Sequence, residues 1–537
     1  MRYQLAERIT IHFMSTKQHA IYIISAMAIV ICAWFLQNQF LLHWDVSWDI
    51  LVTKRLLAGG SYANDFFDLN PPAIFFIYSP AIWIAQKLNY STINAFRLYI
   101  FILMSGCMIL NYKLLLRIFA QSQSFVRYLF FVSLTMVIFI LPDAQLGERE
   151  HIFFVLTVPY FLSTALNLHN QKNSLINSLL IGLLAFLGFA IKPYFLCPFL
   201  LIEGFCMVKQ RCWLYWVRTE VLTILCLLVL YAFTVLLYYP DYLFSVVPLA
   251  IKYYSAGFYM PLTALLNNAN IYFMAIIIVW YFSACYIDTN FSNLTTILFF
   301  GWIGCFAIYI LQHTVWRYHL YPAFAISILL GTLLSLDYFK RFPKHTFALL
   351  GLVCYLMIIP VMDTVIDYKS ALIYKKNTNP LVDFLQHNMY RKSVYFISTN
   401  PREVFPAVQY ADTPYVSRLL HFFWIPHVVK THYHLGQAEK PEIYPIEAGE
   451  NQFIRMVAED INLNKPQYIF IDTKPLKGFL GGLTFEYLPY LLHNTNFKNA
   501  WTSYHFETSI SHGIFYQYAI YKRTEPTVAL SPLFMIK

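Results

Sequence analysis

Charge is what this sequence has least of. Only 12% of its 537 residues are Asp, Glu, Lys or Arg, about half the share of roughly 25% usual in soluble domains. In its place, 58% of the residues are hydrophobic and 19% aromatic. A chain this apolar cannot cover its own surface in water, which excludes an ordinary soluble fold. Cysteine is also sparse. The nine cysteines run from Cys32 to Cys354, with none in the C-terminal region. No pair is spaced Cys-x-x-Cys, so a zinc ribbon or dithiol redox motif is excluded. Nor is there a Gly-rich phosphate loop, since the Gly481-Gly482 pair alone is not one. A formal charge of +10 raises the question of nucleic acid. The Lys and Arg residues lie in short loops between apolar runs, as the positive-inside rule produces, and nucleic acid is not an expected partner.

Eleven apolar runs are long enough, or nearly so, to span a membrane of about 30 Å with about 20 residues each. They cover residues 21–42, 98–116, 128–142, 152–168, 175–191, 193–208, 219–239, 270–287, 293–312, 318–336 and 346–362. The first follows a basic stretch (Arg2, Arg8, Lys17) and lacks a small-residue cleavage site, so it is expected to be a retained anchor. A twelfth stretch, 71–85, is short and carries Pro71, Pro72 and Pro80. Placing it along the membrane surface puts Lys113, Arg117, Arg127, Lys172, Lys209, Arg211, Arg218, Lys340, Arg341 and Lys344 on the cytoplasmic side. The N-terminus is then cytoplasmic, and the loops at 44–70, 143–151 and 241–269, with Lys192 and Arg317, lie outside.

After residue 362 the composition becomes mixed and polar. Strand-like segments at 393–398, 467–472 and 513–521 and a helical pattern at 451–461 predict a small α/β domain. The expected architecture is a polytopic α-helical membrane protein of about 11 spans (1–362), with outer loops at 43–97 and 142–151, and a C-terminal extracytoplasmic α/β domain (363–537). The aromatic run 415–427, with Arg418, is either a contact surface or core.

The loop after the first run is rich in carboxylates. It reads His43-Trp44-Asp45-Val46-Ser47-Trp48-Asp49, then a short predicted helix over 50–57, Gly59-Gly60-Ser61-Tyr62, and Asp65-Phe66-Phe67-Asp68-Leu69-Asn70-Pro71-Pro72. A carboxylate facing water at a membrane rim can take the proton from a hydroxyl that attacks an anomeric carbon. The bland alternative is that these acids solvate a loop or cap its helix. A second charged group, Gly147-Glu148-Arg149-Glu150-His151, opens the fourth run, where four ionisable residues are costly unless paired or functional. An ion pair from Arg149 to a first-loop Asp is the alternative there, and no ligand spacing supports zinc.

An acidic residue after the first span, a short helix, Gly-Gly-x-Tyr, an acidic Phe-Phe-Asp stretch and a Pro-Pro turn resemble the opening of the GT-C glycosyltransferases. These include protein O-mannosyltransferases and the lipid A aminoarabinose transferase. The resemblance covers mainly the first 200 residues. It implies an inner-membrane enzyme that moves a sugar from a polyprenyl-phosphate donor to a glycan, lipid or protein acceptor of the cell envelope, at the outer face. By that resemblance Asp45 is the catalytic base and Glu148 a second catalytic acid near it. Asp49, Asp68, Arg149, Glu150 and His151 bind substrate, while Lys192 and Arg317 hold the donor phosphate. Lys252 is a weaker candidate, and Glu203, inside a span, a structural partner. Family members often carry Asp-Glu where this chain has Asp45-Val46, and a divalent metal ion is a candidate cofactor. A transporter or flippase of a polar lipid would instead carry ionisable residues deep in its spans and internal repeats. A non-catalytic envelope scaffold is the other rival.

Overall fold

The computed structural model describes residues 2–119, 123–287, 292–341, 346–434, 446–524 and 531–534. Lys344 lies outside them. All eleven apolar runs are helical: α1 (Arg2–Gln37), α4 (Thr92–Ile118), α5 (Ser124–Phe139), α6 (Arg149–Asn167), α7 (Leu175–Ala190), α8 (Cys197–Gln210), α9 (Thr219–Tyr238), α10 (Ala269–Ile287), α11 (Asn293–Gln312), α12 (Arg317–Arg341) and α13 (Thr346–Asn388). Among the described residues, seven helices are long and apolar enough to cross a membrane. The chain is a multi-pass membrane protein. Ile24, Phe35, Leu230, Phe233, Leu237, Ile276 and Val279 stand exposed along these helices. In water such a surface would drive association, whereas lipid tails accept it.

The chain forms two compact units. One comprises Met1–Phe40, Ile100–Leu228 and Leu262–Ala371, and the other Leu41–Tyr99, Val229–Pro261 and Leu372–Lys537. The first outer loop therefore belongs to the same unit as the C-terminal region. In the first unit, α12 is buried along its whole apolar length. Gly304 of α11 lets that helix close on the start of α8, because a Cβ there would meet Pro198 Cα at 2.3 Å.

The second unit holds α2 (Trp44–Leu57), α3 (Ala73–Leu88), α14 (Ile425–His434), α15 (Ala448–Asn464) and a four-stranded sheet. The strands are β1 (Val394–Ile397), β2 (Tyr468–Asp472), β3 (Tyr504–His512) and β4 (Tyr516–Arg523), in the order β1-β2-β4-β3. β1 and β2 are parallel, Val394 facing Tyr468, and the other pairs antiparallel. β1 and β2 are wholly buried. The run 415–427 is core: Tyr415, Val416, Leu419, Phe422 and Trp424 are each about 1% exposed or less.

Three expectations are corrected. The helix predicted over 50–57 begins at Trp44, because His43 Nδ1 accepts the Asp45 N–H at 3.4 Å and Asp45 suits the positive end of the helix. Asp45 and Asp49 thus sit on a helix instead of a loop. β3 is an unexpected strand at 504–512: Tyr504, Phe506 and Ile510 alternate with polar His505, Glu507, Ser509 and Ser511, and it is largely exposed as an edge strand allows. The stretch 241–269, expected as a loop, contains π-helical turns at Tyr242–Val246 and Ala250–Ser255.

Arg55 ties the first loop to the C-terminal region. It is fully buried, and its guanidinium donates to the carbonyls of Asp65 (2.9 Å), Ser417 (2.8 Å) and Tyr415 (2.6 Å). Replacing Arg55 by Met leaves three buried carbonyls without donors, each costing about 1–3 kcal/mol. Thermal unfolding of the detergent-solubilised protein should show the transition lowered by several degrees; an unchanged midpoint contradicts this role.

Candidate functional site

In the second unit, the first loop is shaped by its own acids. Asp68 Oδ2 accepts the Trp48 indole N–H at 2.5 Å, and Asp68 Oδ1 accepts the Asn70 backbone and side-chain amides at 2.7 and 2.9 Å. Asp65 Oδ2 accepts the Ser61 N–H and hydroxyl at 2.7 and 3.1 Å, closing the Gly59-Gly60-Ser61 turn. Asp49 is fully buried on α2. Asp45 differs from them: its side chain keeps 14% exposure in the first turn of α2, with its Oδ2 4.0 Å from His43 Nδ1. His43 and Asp45 offer two ligand atoms close enough to share one divalent ion.

The C-terminal region closes around this loop. Arg418 Nε pairs with Asp460 Oδ1 at 2.7 Å and Arg418 Nη1 donates to the Ala63 carbonyl at 2.9 Å. Phe67 N donates to the Arg418 carbonyl at 2.6 Å. Tyr410 Oη accepts from Leu42 N and Arg97 at 3.3 and 3.2 Å. His421 is buried and lies in the field of Asp45; burial pushes its imidazole down to about 4, against the pull of that carboxylate. Lys252 is half exposed and pairs with Glu447 at 2.5 Å.

In the first unit, the charged start of α6 is paired within the helix bundle. Glu150, fully buried, accepts Lys192 Nζ at 2.8 Å, and His319 Nε2 stands 3.6 Å from the same oxygen. Lys192 also donates to Gln312 Oε1 at 3.1 Å, which Tyr194 Oη reaches at 2.9 Å. Glu148 and Arg149 lie 3.3 Å apart, and Arg149 stacks 5.8 Å over Tyr318. His151 is held by Gly147 N at 3.1 Å and the Ile138 carbonyl at 3.1 Å. Arg317 meets Asp143 at 3.0 Å and also pairs with Asp363 and Asp367. Burial pushes the Asp143 carboxyl up to about 7, against the pull of Arg317. Glu203 pairs with Arg218 and accepts from Tyr160, the partner role expected of it.

Sequence reasoning missed Gln312, His319, Asp363 and Asp367. The last two follow the final apolar run at helical i, i+4 spacing, which is the signal that finds them. No known family profile matches the sequence, and no curated protein matches it. Solved structures match by shape, among them two of one protein. ArnT from Cupriavidus metallidurans bound to undecaprenyl phosphate superposes with a TM-score of 0.50 at 9% identity, over 94% of this chain and 98% of that one. The same protein in the apo state gives 0.49 at 10% identity, over 86% and 93%. This chain has the fold of that undecaprenyl-phosphate-bound ArnT structure. That shared fold accounts for the order of apolar helices followed by a C-terminal α/β region.

Two outcomes follow. Glu150→Gln leaves the Lys192 ammonium buried without its carboxylate, a loss of about 3–5 kcal/mol. The double variant with Lys192→Met should recover most of it in thermal unfolding, and simple additivity would contradict the pairing. Asp143 binds its proton more tightly when folded than when unfolded. Its contribution is full below about pH 4 and is lost as pH rises through about 7. Asp143→Asn should flatten that part of the stability–pH curve; an unchanged curve excludes Asp143 as its source.

Proposed function

We propose that the chain is a membrane glycosyltransferase that moves a sugar from a polyprenyl-phosphate donor to a cell-envelope acceptor at the outer face of the inner membrane, with a cytoplasmic N-terminus and the C-terminal region outside. The observation that carries the reading is the likeness, over nearly the whole of both chains, to a GT-C fold solved with undecaprenyl phosphate bound. A lipid-anchored donor cannot leave the bilayer, which accounts for an enzyme embedded there.

In this mechanism the acceptor hydroxyl oxygen attacks the anomeric carbon. Its proton passes to the Asp45 carboxylate as the bond from that carbon to the phosphate oxygen breaks. The polyprenyl phosphate departs with the electron pair. Asp45 suits the role because its side chain is partly open to solvent in the first turn of α2. Lys192, in a dry setting, is assigned to the departing phosphate, where fixed charge is worth most. Glu148 with Arg149 orients the acceptor, with Glu150 and His151 fixing that end of α6. Arg317 contributes less, because three carboxylates already meet its charge. Asp49 and Asp68 serve by holding the first loop. A divalent ion, where bound at His43 and Asp45, would add positive charge beside the acceptor hydroxyl.

The test is Asp45→Asn in the full chain, reconstituted with a pool of polyprenyl-phosphate-linked sugars and envelope acceptors. Transfer should fall by about 10²–10⁴-fold with normal membrane insertion. Retained transfer removes Asp45 from the mechanism.

A further inference from the structure

Among the described residues, the C-terminal region brings a cation without a carboxylate partner to the start of the helix that carries Asp45. At the carboxyl end of β1, the edge where sheets with parallel strands hold ligands, the chain turns through Asn400 into the short helix Pro401–Val404. The turn fixes its two charged residues differently. Asn400 Nδ2 donates to Glu403 at 2.8 Å, and that carboxylate also receives Lys474 Nζ at 2.6 Å and the Tyr518 hydroxyl at 3.0 Å. Glu403 is therefore spent on lysine, amide and phenol.

Arg402 is exposed, and no carboxylate pairs with its guanidinium among the described residues. Its charged carbon sits 5.4 Å from the Trp44 ring centre and 5.0 Å from that of Tyr374. The Trp44 and His43 ring centres lie 3.7 Å apart with the planes tilted by 35°, and His43 Nδ1 is 4.0 Å from Asp45 Oδ2. From the same region His421, 9% exposed, faces Asp45 electrostatically, and its Nδ1 has no hydrogen-bond partner among the described residues. A polar edge with an open cation is thus built around the first turn of α2.

We propose that Arg402 binds a phosphate group of a substrate beside Asp45. A guanidinium stacked on two rings keeps its N–H edge free, and that edge matches two phosphate oxygens at once, which an ammonium cannot do. The phosphate belongs either to the polyprenyl carrier or to a phosphorylated lipid acceptor. Only the reading of that phosphate as a substrate's rests on the transferase function; the binding site itself does not.

The experiment uses the full-length protein in detergent with no sugar present, so its result is independent of transfer. Binding of undecaprenyl phosphate and of phosphatidic acid is measured by native mass spectrometry for wild type, Arg402→Lys and Arg402→Gln. Because Arg402 is exposed, both variants should elute and unfold as the wild type does. Loss of one charged, two-point contact weakens binding about tenfold or more in Arg402→Gln, with Arg402→Lys in between. A loss confined to undecaprenyl phosphate assigns the site to the carrier. A loss for phosphatidic acid, alone or with the carrier, assigns it to a lipid phosphate acceptor or to phosphate in general. Equal binding of both lipids by all three proteins overturns the proposal.

Discussion

One buried cation holds the first loop to the C-terminal region. Arg55 sits on α2, out of water, and donates to carbonyls that belong to two distant stretches of chain, Asp65 on one side and Tyr415 and Ser417 on the other. Carbonyls accept without neutralising, so the guanidinium is balanced by dipoles and by the Trp48 and Phe534 rings at 5.8 and 4.8 Å. Arg418 repeats the device in reverse, reaching back to the Ala63 carbonyl while Asp460 neutralises it. The consequence is that Asp45 stands on a helix fixed by the core of the second unit. A side chain on a rigid element is placed more accurately than one on a loop.

Within the spanning unit the problem is different, because charge there must be met by charge. Glu150 and Lys192 meet at 2.8 Å with Gln312 completing the lysine's donors, and Arg317 gathers three aspartates. These groups lie at helix ends, at the start of α6, after α7 and at the start of α12. Their pairing also bears on function. A cation already matched by three acids has little field left for a phosphate, and one matched by a single acid keeps more.

Much of this was legible in the sequence, for identifiable reasons. Eleven apolar runs could be read directly, since length and hydropathy are one-dimensional properties. β1, β2 and α15 showed in their period. The Asp45-to-Pro72 pattern pointed to the fold that the solved structures share. What stayed hidden depended on contacts made across the chain. Nothing local shows that Asp68 accepts from Trp48 and Asn70, or that Asp45 lies 4.0 Å from His43 Nδ1. Nor does sequence show that α13 runs on past residue 362 to Asn388, because the polar residues after that point lose hydropathy without breaking a helix. Arg402 carries no motif at all; only folding sets it over Trp44.

The central claim is that a lipid-linked sugar is consumed through Asp45, and the lipids themselves report on it. Mass spectrometry of polyprenyl-phosphate sugars from cells that carry the wild-type chain, the Asp45→Asn chain or neither tests this directly. The account predicts that one lipid-linked sugar accumulates equally with the variant and without the protein, and is depleted by the wild type. Identical pools in all three would contradict it.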